Sequence, residues 1–537
     1  MFIRKKTFTN KDGTTREYLQ LVESYRVNGR SRQRVIANLG RLEELQDGQL
    51  DRLIENLTRF SETQWVRMNL DETQASWSKQ WGPALIFHNL WEEKLGLGPC
   101  VRRILNRTEK TSPFEEALFA MVLNRLCDPL SKLGLNERWL QSVYHPPLEK
   151  LQLHHFYHAL DFVAEYKDEI ESFLFDRVRN LFNCELDLVF WDTTSTYFEG
   201  SGPEELAKYG YSKDKRPDRL QIMIGLLMTK EGIPVAHHIF PGNTADVRTF
   251  KAAFSDLRRR FNVTRVIMVG DRGMVSNKVL QEISAAGLQY IVGVKMRRRP
   301  NIDRMLSWNA PYTRVKENLK VKEVWSNGVS RYILCFNPEG AERDRNARRE
   351  MIIKLKRKLD SGNIKGLLGN KGYRQYLKAS KNAVTIDHDA IRREARYDGK
   401  YMLKTNTDLP PDQVVLAYKE LWRVERAFRE LKSGLELRPI YHWTESRVRG
   451  HVMVCFLALV LESALIRYLK EKQSKAGYLQ LMADLATLHA IQFSFNDKVY
   501  LFRTELQGDA YEAFRVLGLR PPLKAQILTQ LPHTGNM

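Results

Sequence analysis

Two strongly apolar runs of this sequence each end at an aspartate. LVFWD reaches Asp192, and VIMVGD reaches Asp271. An aspartate after a strand is often a turn residue whose side chain bonds nearby backbone. If the two runs are neighbouring strands, their carboxylates converge, and they repel one another unless a cation lies between them. Mg²⁺, which prefers oxygen ligands, is the natural cation. From these two acids alone, turn residues and a metal site both stay open.

A third acid lies in the segment YKELWRVERAFRELK. A spacing of seven returns to within about 20° of the starting direction on a straight helix. Tyr418, Glu425 and Lys432 are therefore expected on one face, with Arg429 nearly on the same line. Glu425 fits either a solvated face with an ion pair to Arg429, or a metal ligand flanked by phosphate-binding groups. The stripe predicted to be buried beside it is Leu421, Val424, Ala427, Phe428, Leu431 and Leu435.

The elements that must hold the two aspartates lie in residues 186–296. Their pattern is β-β-β-α-β-α-β: three strands joined by hairpins, then two strands reached through helices. This order predicts an α/β fold with a mixed five-stranded sheet and helices packed on it. In that sheet the first and fourth strands, which end at Asp192 and Asp271, are neighbours.

The rest of the chain divides by pattern into five further regions. The insertion carries predicted hairpins at Asn327-Gly328 and Asp398-Gly399, with a highly charged helix between them. The predicted regions are a basic β-meander at 1–40, a helical region at 41–180, the insertion at 297–404, a helical completion of the core at 405–472, and a C-terminal region at 473–537.

The composition indicates a polyanionic partner. Lys and Arg number 85 against 64 Asp and Glu, which gives a net charge of +21, and each phosphate that such a surface neutralises releases counterions. The five cysteines lack the spacing of a zinc site and are expected to be reduced thiols. The N-terminus has no apolar signal core, and the most hydrophobic run, Val452 to Leu461, is too short to span a bilayer. A cytoplasmic protein with a buried helix at that run, and no membrane partner, is expected.

These motifs resemble the DDE transposases of bacterial insertion sequences. The resemblance is to the branch with a Tyr-Arg-Glu-Lys signature, in the IS-four-like superfamily and its elongated IS-sixteen-thirty-four-type group. It covers roughly residues 1 to 470. The segments that carry it are DTT at Asp192, GDRG at Asp271, Y-x6-E-x6-K from Tyr418 to Lys432, GYSKDKRPD from Gly210, FPGNTAD from Phe240, LRPIYHWTESRVRGH from Leu437, and YRVNGRSRQRVIANLGRL near the N-terminus.

The resemblance implies a ribonuclease H-like core with a β-containing insertion before the Glu-bearing helix. It implies that Asp192, Asp271 and Glu425 hold two Mg²⁺ ions, for which Mn²⁺ can substitute, and catalyse cut-and-paste transposition without a covalent protein–DNA intermediate. The signature Arg is expected three residues after Tyr418, where this sequence has Leu421.

Other side chains take DNA-contacting roles from the same resemblance. Tyr418 and Lys432 would contact phosphates near the transposon end, and Arg429 could replace the missing Arg. Trp325 is a candidate for stacking on a flipped base, although a hairpin core aromatic is the alternative.

The expected partners follow from the same family. They are double-stranded DNA, as terminal inverted repeats and as target, and a second copy of the chain in the DNA complex. Residues 1 to about 180 are expected to recognise the repeats, and DNA would bring the protein to the nucleoid. Two other functions remain open: a non-transposing nuclease of the same fold, and a catalytically inactive DNA-binding protein derived from a transposase.

Overall fold

The structure is a computed structural model of the chain. The residues it describes are 1–27, 30–45, 48–60, 74–181, 188–245, 248–249, 252–253, 255, 259–261, 267–270, 277–285, 287–297, 302–326, 330–361, 370–379, 384–495 and 498–528. Backbone contacts divide the chain into two compact units, which are residues 1–74 with 494–498 and residues 75–493 with 499–537.

The first unit contains the predicted meander. Strands β1 (Phe2–Thr9), β2 (Thr15–Val27) and β3 (Arg30–Arg41) form an antiparallel sheet in chain order, so the three-stranded prediction is confirmed. Gly13, at a φ of +81°, closes the first turn with a hydrogen bond from its amide to the Asn10 carbonyl. The second turn, at residues 28–29, lies outside the described residues.

The strands of the second unit form one large mixed sheet and two small ones. The large sheet has the order β10-β11-β12-β15-β9-β8-β5-β6-β7, while β18-β17-β16-β4 and β13-β14 form the small sheets. The strands are β4 (Gln74–Gln80), β5 (Leu188–Tyr197), β6 (Gln221–Thr229), β7 (Pro234–Pro241), β8 (Ile267–Gly270), β9 (Gln289–Val294), β10 (Thr313–Lys316), β11 (Leu319–Ser326), β12 (Ser330–Phe336), β13 (Leu377–Ala379), β14 (Val384–Ile386), β15 (Lys400–Thr405), β16 (His489–Phe495), β17 (Lys498–Arg503) and β18 (Ala525–Leu528).

The five strands predicted within 186–296 are present as β5 to β9, and they are consecutive in the sheet. The expected five-stranded limit is wrong, because strand β15 pairs with β9 and brings β12, β11 and β10 with it, giving nine strands. The insertion therefore extends the core sheet. The sequence does not predict this extension. Whether β9 is an edge strand depends on whether a segment more than a hundred residues later pairs with it.

Helices cover the sheet and form the region before it. They are α1 (Gln49–Thr58), α2 (Gly82–Asn89), α3 (Leu97–Leu105), α4 (Phe114–Cys127), α5 (Lys132–Gly134), α6 (Leu140–Ser142), α7 (Leu153–Glu165), α8 (Lys167–Leu181), α9 (Asn277–Ala285), α10 (Ile302–Leu306), α11 (Pro338–Asp360), α12 (Lys371–Arg374), α13 (His388–Ala395), α14 (Pro411–Lys419), α15 (Trp422–Arg429), α16 (Glu445–Glu471), α17 (Tyr478–Ala486) and α18 (Ala510–Leu517). Strand β4 interrupts the predicted helical stretch 41–180. It is a strand because it pairs with β16, some four hundred residues later, and a local pattern does not show that partner.

Helix α16 is the central helix of the core. By length and composition alone, this helix could cross a membrane, and among the described helices no other meets that test. However, 78% of its most apolar stretch is buried inside the protein. It packs on α4, α7 and β7. The buried helix predicted at Val452–Leu461 is confirmed, although it continues well beyond Glu462, which is itself only 5% exposed.

The insertion follows the prediction in part. β11 and β12 form the hairpin expected around residues 327–329, and the charged helix is α11. The second predicted hairpin, at Asp398-Gly399, is wrong: helix α13 precedes that turn, and only β15 follows it. Asp387 accepts a hydrogen bond from the Ala390 amide and so starts α13, while the Asp398 carboxylate accepts two from Arg348 of α11. Helix capping and that ion pair outweigh the local turn signal.

Candidate functional site

Asp192 lies in the middle of strand β5, and the prediction that it ends its strand is wrong. β5 pairs antiparallel with β6 as far as Tyr197 opposite Gln221, whereas its parallel pairing with β8 extends only to Phe190 opposite Val269. The strand continues past Asp192 because β6 pairs with it as far as Tyr197. The Asp192 carboxylate is 17% exposed. It therefore stands on a rigid paired strand, beside the place where the neighbouring strand ends.

The predicted neighbours β5 and β8 are confirmed as a parallel pair. Asp271 itself lies outside the described residues, and it directly follows Gly270, the last residue of β8. In the last paired position, Phe190 and Val269 each stand two residues before one of the acids. Within the described residues no group of three or more carboxylate, His or Cys ligands comes together.

Glu425 lies on helix α15, which packs against β5. The apolar stripe predicted beside it is buried as expected, with Val424 and Leu431 fully covered. The carboxylate side of the helix is exposed, and the ion pair considered between Glu425 and Arg429 is not formed. The helix thus brings an acid, unpaired among the described residues, to the strand that carries Asp192.

The single straight helix assumed for Tyr418, Glu425 and Lys432 is wrong. Helix α14 ends at Lys419, and the Leu421 amide donates to the Tyr418 carbonyl at 3.1 Å, which is a tighter, 3₁₀-type contact. A π-helical turn, Glu430–Gly434, then follows α15. The count of 100° per residue holds only for unbroken α-helix, so it no longer places the three side chains on one face. Their exposure also differs: Tyr418 is half-buried, Glu425 exposed and Lys432 buried.

Lys432 is held by an acid from the GYSKDKRPD segment. Its ammonium lies 2.7 Å from Oδ1 of Asp214, and the Arg438 guanidinium donates to the same oxygen. The Asp214 side chain is 6% exposed and that of Lys432 9%. Burial lowers the pKa of Lys432 below its ordinary value, and Asp214 partly opposes this. Sequence analysis does not single out Asp214, although its segment, GYSKDKRPD, is one of those that carry the family resemblance.

Lys213, next to Asp214, links this cluster to Asp192. Its ammonium lies 4.0 Å from Oδ1 of Asp192 and donates to the Thr193 carbonyl at 2.5 Å. Its amide donates to Oγ of Ser195 at 2.8 Å. The hydroxyl-rich run after Asp192 therefore fastens the 210–218 segment to β5, and the Thr193 amide donates to Asp192 itself at 2.7 Å. Sequence alone does not choose between orienting the Asp192 carboxylate and contacting DNA as the role of Thr193 and Thr194.

Two family models match the chain. "IS1634 family transposase, N-terminal domain" matches residues 3–71, and "Transposase DDE domain" matches residues 185–461, which is more than half of the chain. The chain belongs to the DDE transposase family. A comparison with curated proteins finds no match.

Solved structures of Mos1 transposase complexes also match this transposase. "Mos1 transposase paired-end complex with left transposon end" is 14% identical with a TM-score of 0.15, over 45% of this chain and 66% of the other. "Crystal structure of the Mos1 Strand Transfer Complex" is 13% identical with a TM-score of 0.14, over 45% and 65%. The matches thus span just under two thirds of those chains, and TM-scores this low do not establish a shared fold.

Two further predicted positions of the transposase stand apart from Asp192. Trp325 is on β11, five strands from β5 in the sheet, which is about 24 Å at the usual strand spacing. It is 45% exposed, so the alternative of a hairpin core aromatic is wrong. Leu421, at the signature Arg position, is 5% exposed and belongs to the buried stripe. Arg429 is exposed on α15.

Proposed function

We propose that this transposase carries out cut-and-paste transposition, by divalent-metal-dependent cleavage of insertion-sequence ends and strand transfer to target DNA. The observation that supports it best is that helix α15, with Glu425, packs on β5, with Asp192, while β8, which leads to Asp271, pairs in parallel with the same strand. Two acids distant in sequence, Asp192 and Glu425, thus lie on elements that pack together, and the third follows the last residue of a strand paired with β5.

The core is proposed to be ribonuclease H-like. Supporting this, β9-β8-β5-β6-β7 are consecutive, with β5, β6 and β7 joined antiparallel and β8 and β9 added in parallel. The four strands of the insertion extend this core at the β9 edge.

Asp192, Asp271 and Glu425 would hold two Mg²⁺ ions, or Mn²⁺ in their place. The donor set fits, because carboxylate oxygens are the ligands that hard divalent ions take. Glu425 has no ion-pair partner among the described residues, and Asp192 already lies near one cation, the Lys213 ammonium. When bound, such ions supply activation of water or a 3′-hydroxyl and stabilisation of the leaving oxygen.

The chain's other residues would position the DNA and the acids. The Thr193 amide fixes one oxygen of Asp192, and Lys213 offsets its charge. Lys432, oriented by Asp214, would meet a backbone phosphate as a compact point charge. Tyr418, half-buried beside Tyr401, and the exposed Arg429 would add contacts to the transposon end.

Trp325 is proposed to stack on a base away from the acids. The proposed partners are double-stranded DNA, as terminal inverted repeats and target, and a second copy of the chain in the DNA complex. The net charge of +21 supports a DNA partner. The first 180 residues are proposed to recognise the repeats, supported by exposed Lys6, Arg30 and Arg32 on the meander. A cytoplasmic location is proposed.

The decisive experiment uses the purified chain, the element's own ends and Mg²⁺. Wild type should nick the ends and join them to target DNA. Asp192→Asn and Glu425→Gln should each lower cleavage at least about a thousandfold, since several kcal/mol of transition-state stabilisation are removed, and should still bind the ends. Asp176→Asn, which changes a surface carboxylate that is 63% exposed, is the matched control and should cleave normally.

The products separate the three candidate functions. Cleaved ends without joined products would indicate the non-transposing nuclease, and binding without cleavage by wild type would indicate the inactive derivative. Cleavage that survives in Asp192→Asn would overturn the assignment of the acids.

A further inference from the structure

A concave site lies next to the segment that carries Arg438, one of the two cations that bind Asp214. It has a volume of about 390 Å³ and is lined by the start of α5, the end of α4, and the segment that joins the π-helical turn to α16. Its rim is exposed, with Tyr441 at 71% and Leu133 at 48%. Its inner wall carries Arg125, Lys132 and His451, each no more than 6% exposed. We call it the cationic pocket.

Lys132 is the central group of the cationic pocket. It is 5% exposed, and its ammonium has no hydrogen-bond or ion-pair partner among the described residues. Burial, followed by the nearby charge of Arg125, lowers the pKa of this lysine to about 7. A buried lysine without a counter-charge is costly, because its charge has lost water and gained nothing in return.

Arg125 is fixed with a donor left over. Its two terminal nitrogens donate to the carbonyls of Glu436 at 3.2 Å and Leu130 at 3.0 Å. Its Nε–H is buried and has no hydrogen-bond partner among the described residues. The backbone thus holds the guanidinium in place on the pocket wall, and one N–H remains available to a bound oxygen.

His451 adds a third unsatisfied nitrogen. Its Nε2 lies 3.2 Å from the Leu437 carbonyl, so Nε2 carries the proton, and Nδ1 is buried with no hydrogen-bond partner in the described part of the chain. Burial, and then Arg125 and Lys132, hold the pKa of His451 well below its ordinary value. A bound anion would reverse that balance and make Nδ1 a donor.

Among the described residues, no acid of the pocket lining forms an ion pair with these groups. Glu436 is the one carboxylate among the described lining residues; it is exposed and forms no ion pair with them. Arg438, on the same lining, also binds Asp214 of the Lys432 cluster, so the pocket adjoins the proposed DNA-contacting side chains.

We propose that the cationic pocket binds a phosphate group, with Lys132, Arg125 and His451 as its ligands. A phosphate group accepts several hydrogen bonds from cationic donors at once, which matches a lining that combines the Lys132 ammonium with two buried nitrogens, Nε of Arg125 and Nδ1 of His451, that have no partner among the described residues. The group can come from a DNA backbone or from free phosphate. The DNA source rests on the proposed function above; the free source does not.

The first arm uses inorganic phosphate and the full chain. Phosphate should raise the Tm of wild type, and Lys132→Met should weaken phosphate binding about tenfold or more, since a charge-assisted contact is lost. Without phosphate, Lys132→Met should be at least as stable as wild type, because an unpaired buried ammonium is removed. Lys150→Met, which removes an exposed lysine, is the matched control and should bind phosphate normally.

The second arm uses a duplex of the element's terminal repeat. If DNA supplies the phosphate, Lys132→Met lowers the salt dependence of binding by about one phosphate contact, and Lys150→Met does not. If free phosphate is the ligand, Lys132→Met weakens the binding of inorganic phosphate but leaves the salt dependence of DNA binding unchanged. Wild-type affinity for both probes in Lys132→Met would overturn the pocket. Neither arm measures cleavage, so failure of the catalytic proposal is seen separately.

Discussion

Replacing Asp214 by Asn removes the charge that holds two cations. In the native chain Oδ1 of Asp214 accepts from Lys432 at 2.7 Å and from Arg438, and the Asp214 side chain is 6% exposed. Asn keeps the shape and one acceptor oxygen, so Asp214→Asn changes charge without opening a cavity. What remains is an ammonium that is 9% exposed and opposite a neutral amide.

The cost follows from burial. Removing one partner of a buried ion pair costs about 3–5 kcal/mol, because the other charge is left uncompensated. Two features favour the lower end. Arg438 is 30% exposed and can turn to water, and Lys432, whose pKa burial already lowers, can give up its proton. We therefore expect a loss of about 3 kcal/mol in the free energy of unfolding, or about a hundredfold more unfolded chain.

Urea unfolding followed by tryptophan fluorescence measures this loss. Asp218→Asn is the matched control, since Asp218 lies on the same segment and pairs with Arg216 at 2.9 Å but is 58% exposed. Its removal should leave the unfolding midpoint unchanged, as for most exposed pairs. Equal midpoints for Asp214→Asn and Asp218→Asn would refute the argument from burial.

A double variant identifies the source of the cost. If the loss comes from the unpaired ammonium, adding Lys432→Met to Asp214→Asn should restore more than half of it. A double variant as unstable as Asp214→Asn would show instead that the 210–218 segment depends on the carboxylate for other reasons.

The remaining predictions concern a buried acid and an exposed aromatic. Although burial opposes it, Lys167 and neighbouring basic groups hold the pKa of Glu171 below its ordinary 4.5. Its stabilisation is therefore present above that pH and lost as pH falls, so Glu171→Gln should differ most from wild type in urea unfolding at neutral pH and least in acid, while Asp168→Asn, 63% exposed, should differ little. Trp325→Ala should weaken binding of the transposon end by about 1–3 kcal/mol, measured by fluorescence titration, and Trp308→Ala, similarly exposed, should not.

What the sequence predicts correctly depends on local periodicity. The run of strand-forming residues before Asp192, the apolar stripe through Val424 and Leu431, and the buried helix at Val452–Leu461 are all confirmed. In each of these segments the pattern of apolar residues over a short stretch is enough to predict the element and the side chains that it buries. The pairing of β5 with β8 also follows, since connection rules restrict how such strands can be ordered.

The errors occur where distant segments decide. Asp192 is not a strand end because β6 continues to pair with β5 past the end of β8. The sheet has nine strands because β15 returns to β9 after more than a hundred residues. A helical count also cannot include the break after Lys419, where a 3₁₀-type contact interrupts the regular 100° per residue between Tyr418 and Glu425.

The residues that sequence analysis does not single out are those whose role depends on a partner side chain distant in the sequence. Asp214 looks like one more acid in a charged loop until Lys432, over two hundred residues later, is found 2.7 Å away. Lys132 is the opposite case: its residue type suggests a solvated side chain, and only its 5% exposure makes the missing partner informative. An ion pair inside the chain satisfies Lys432, whereas nothing in the described chain satisfies Lys132. The same physical requirement, a counter-charge for a buried ammonium, therefore explains a structural contact at one lysine and is the reason for the phosphate proposed at the other.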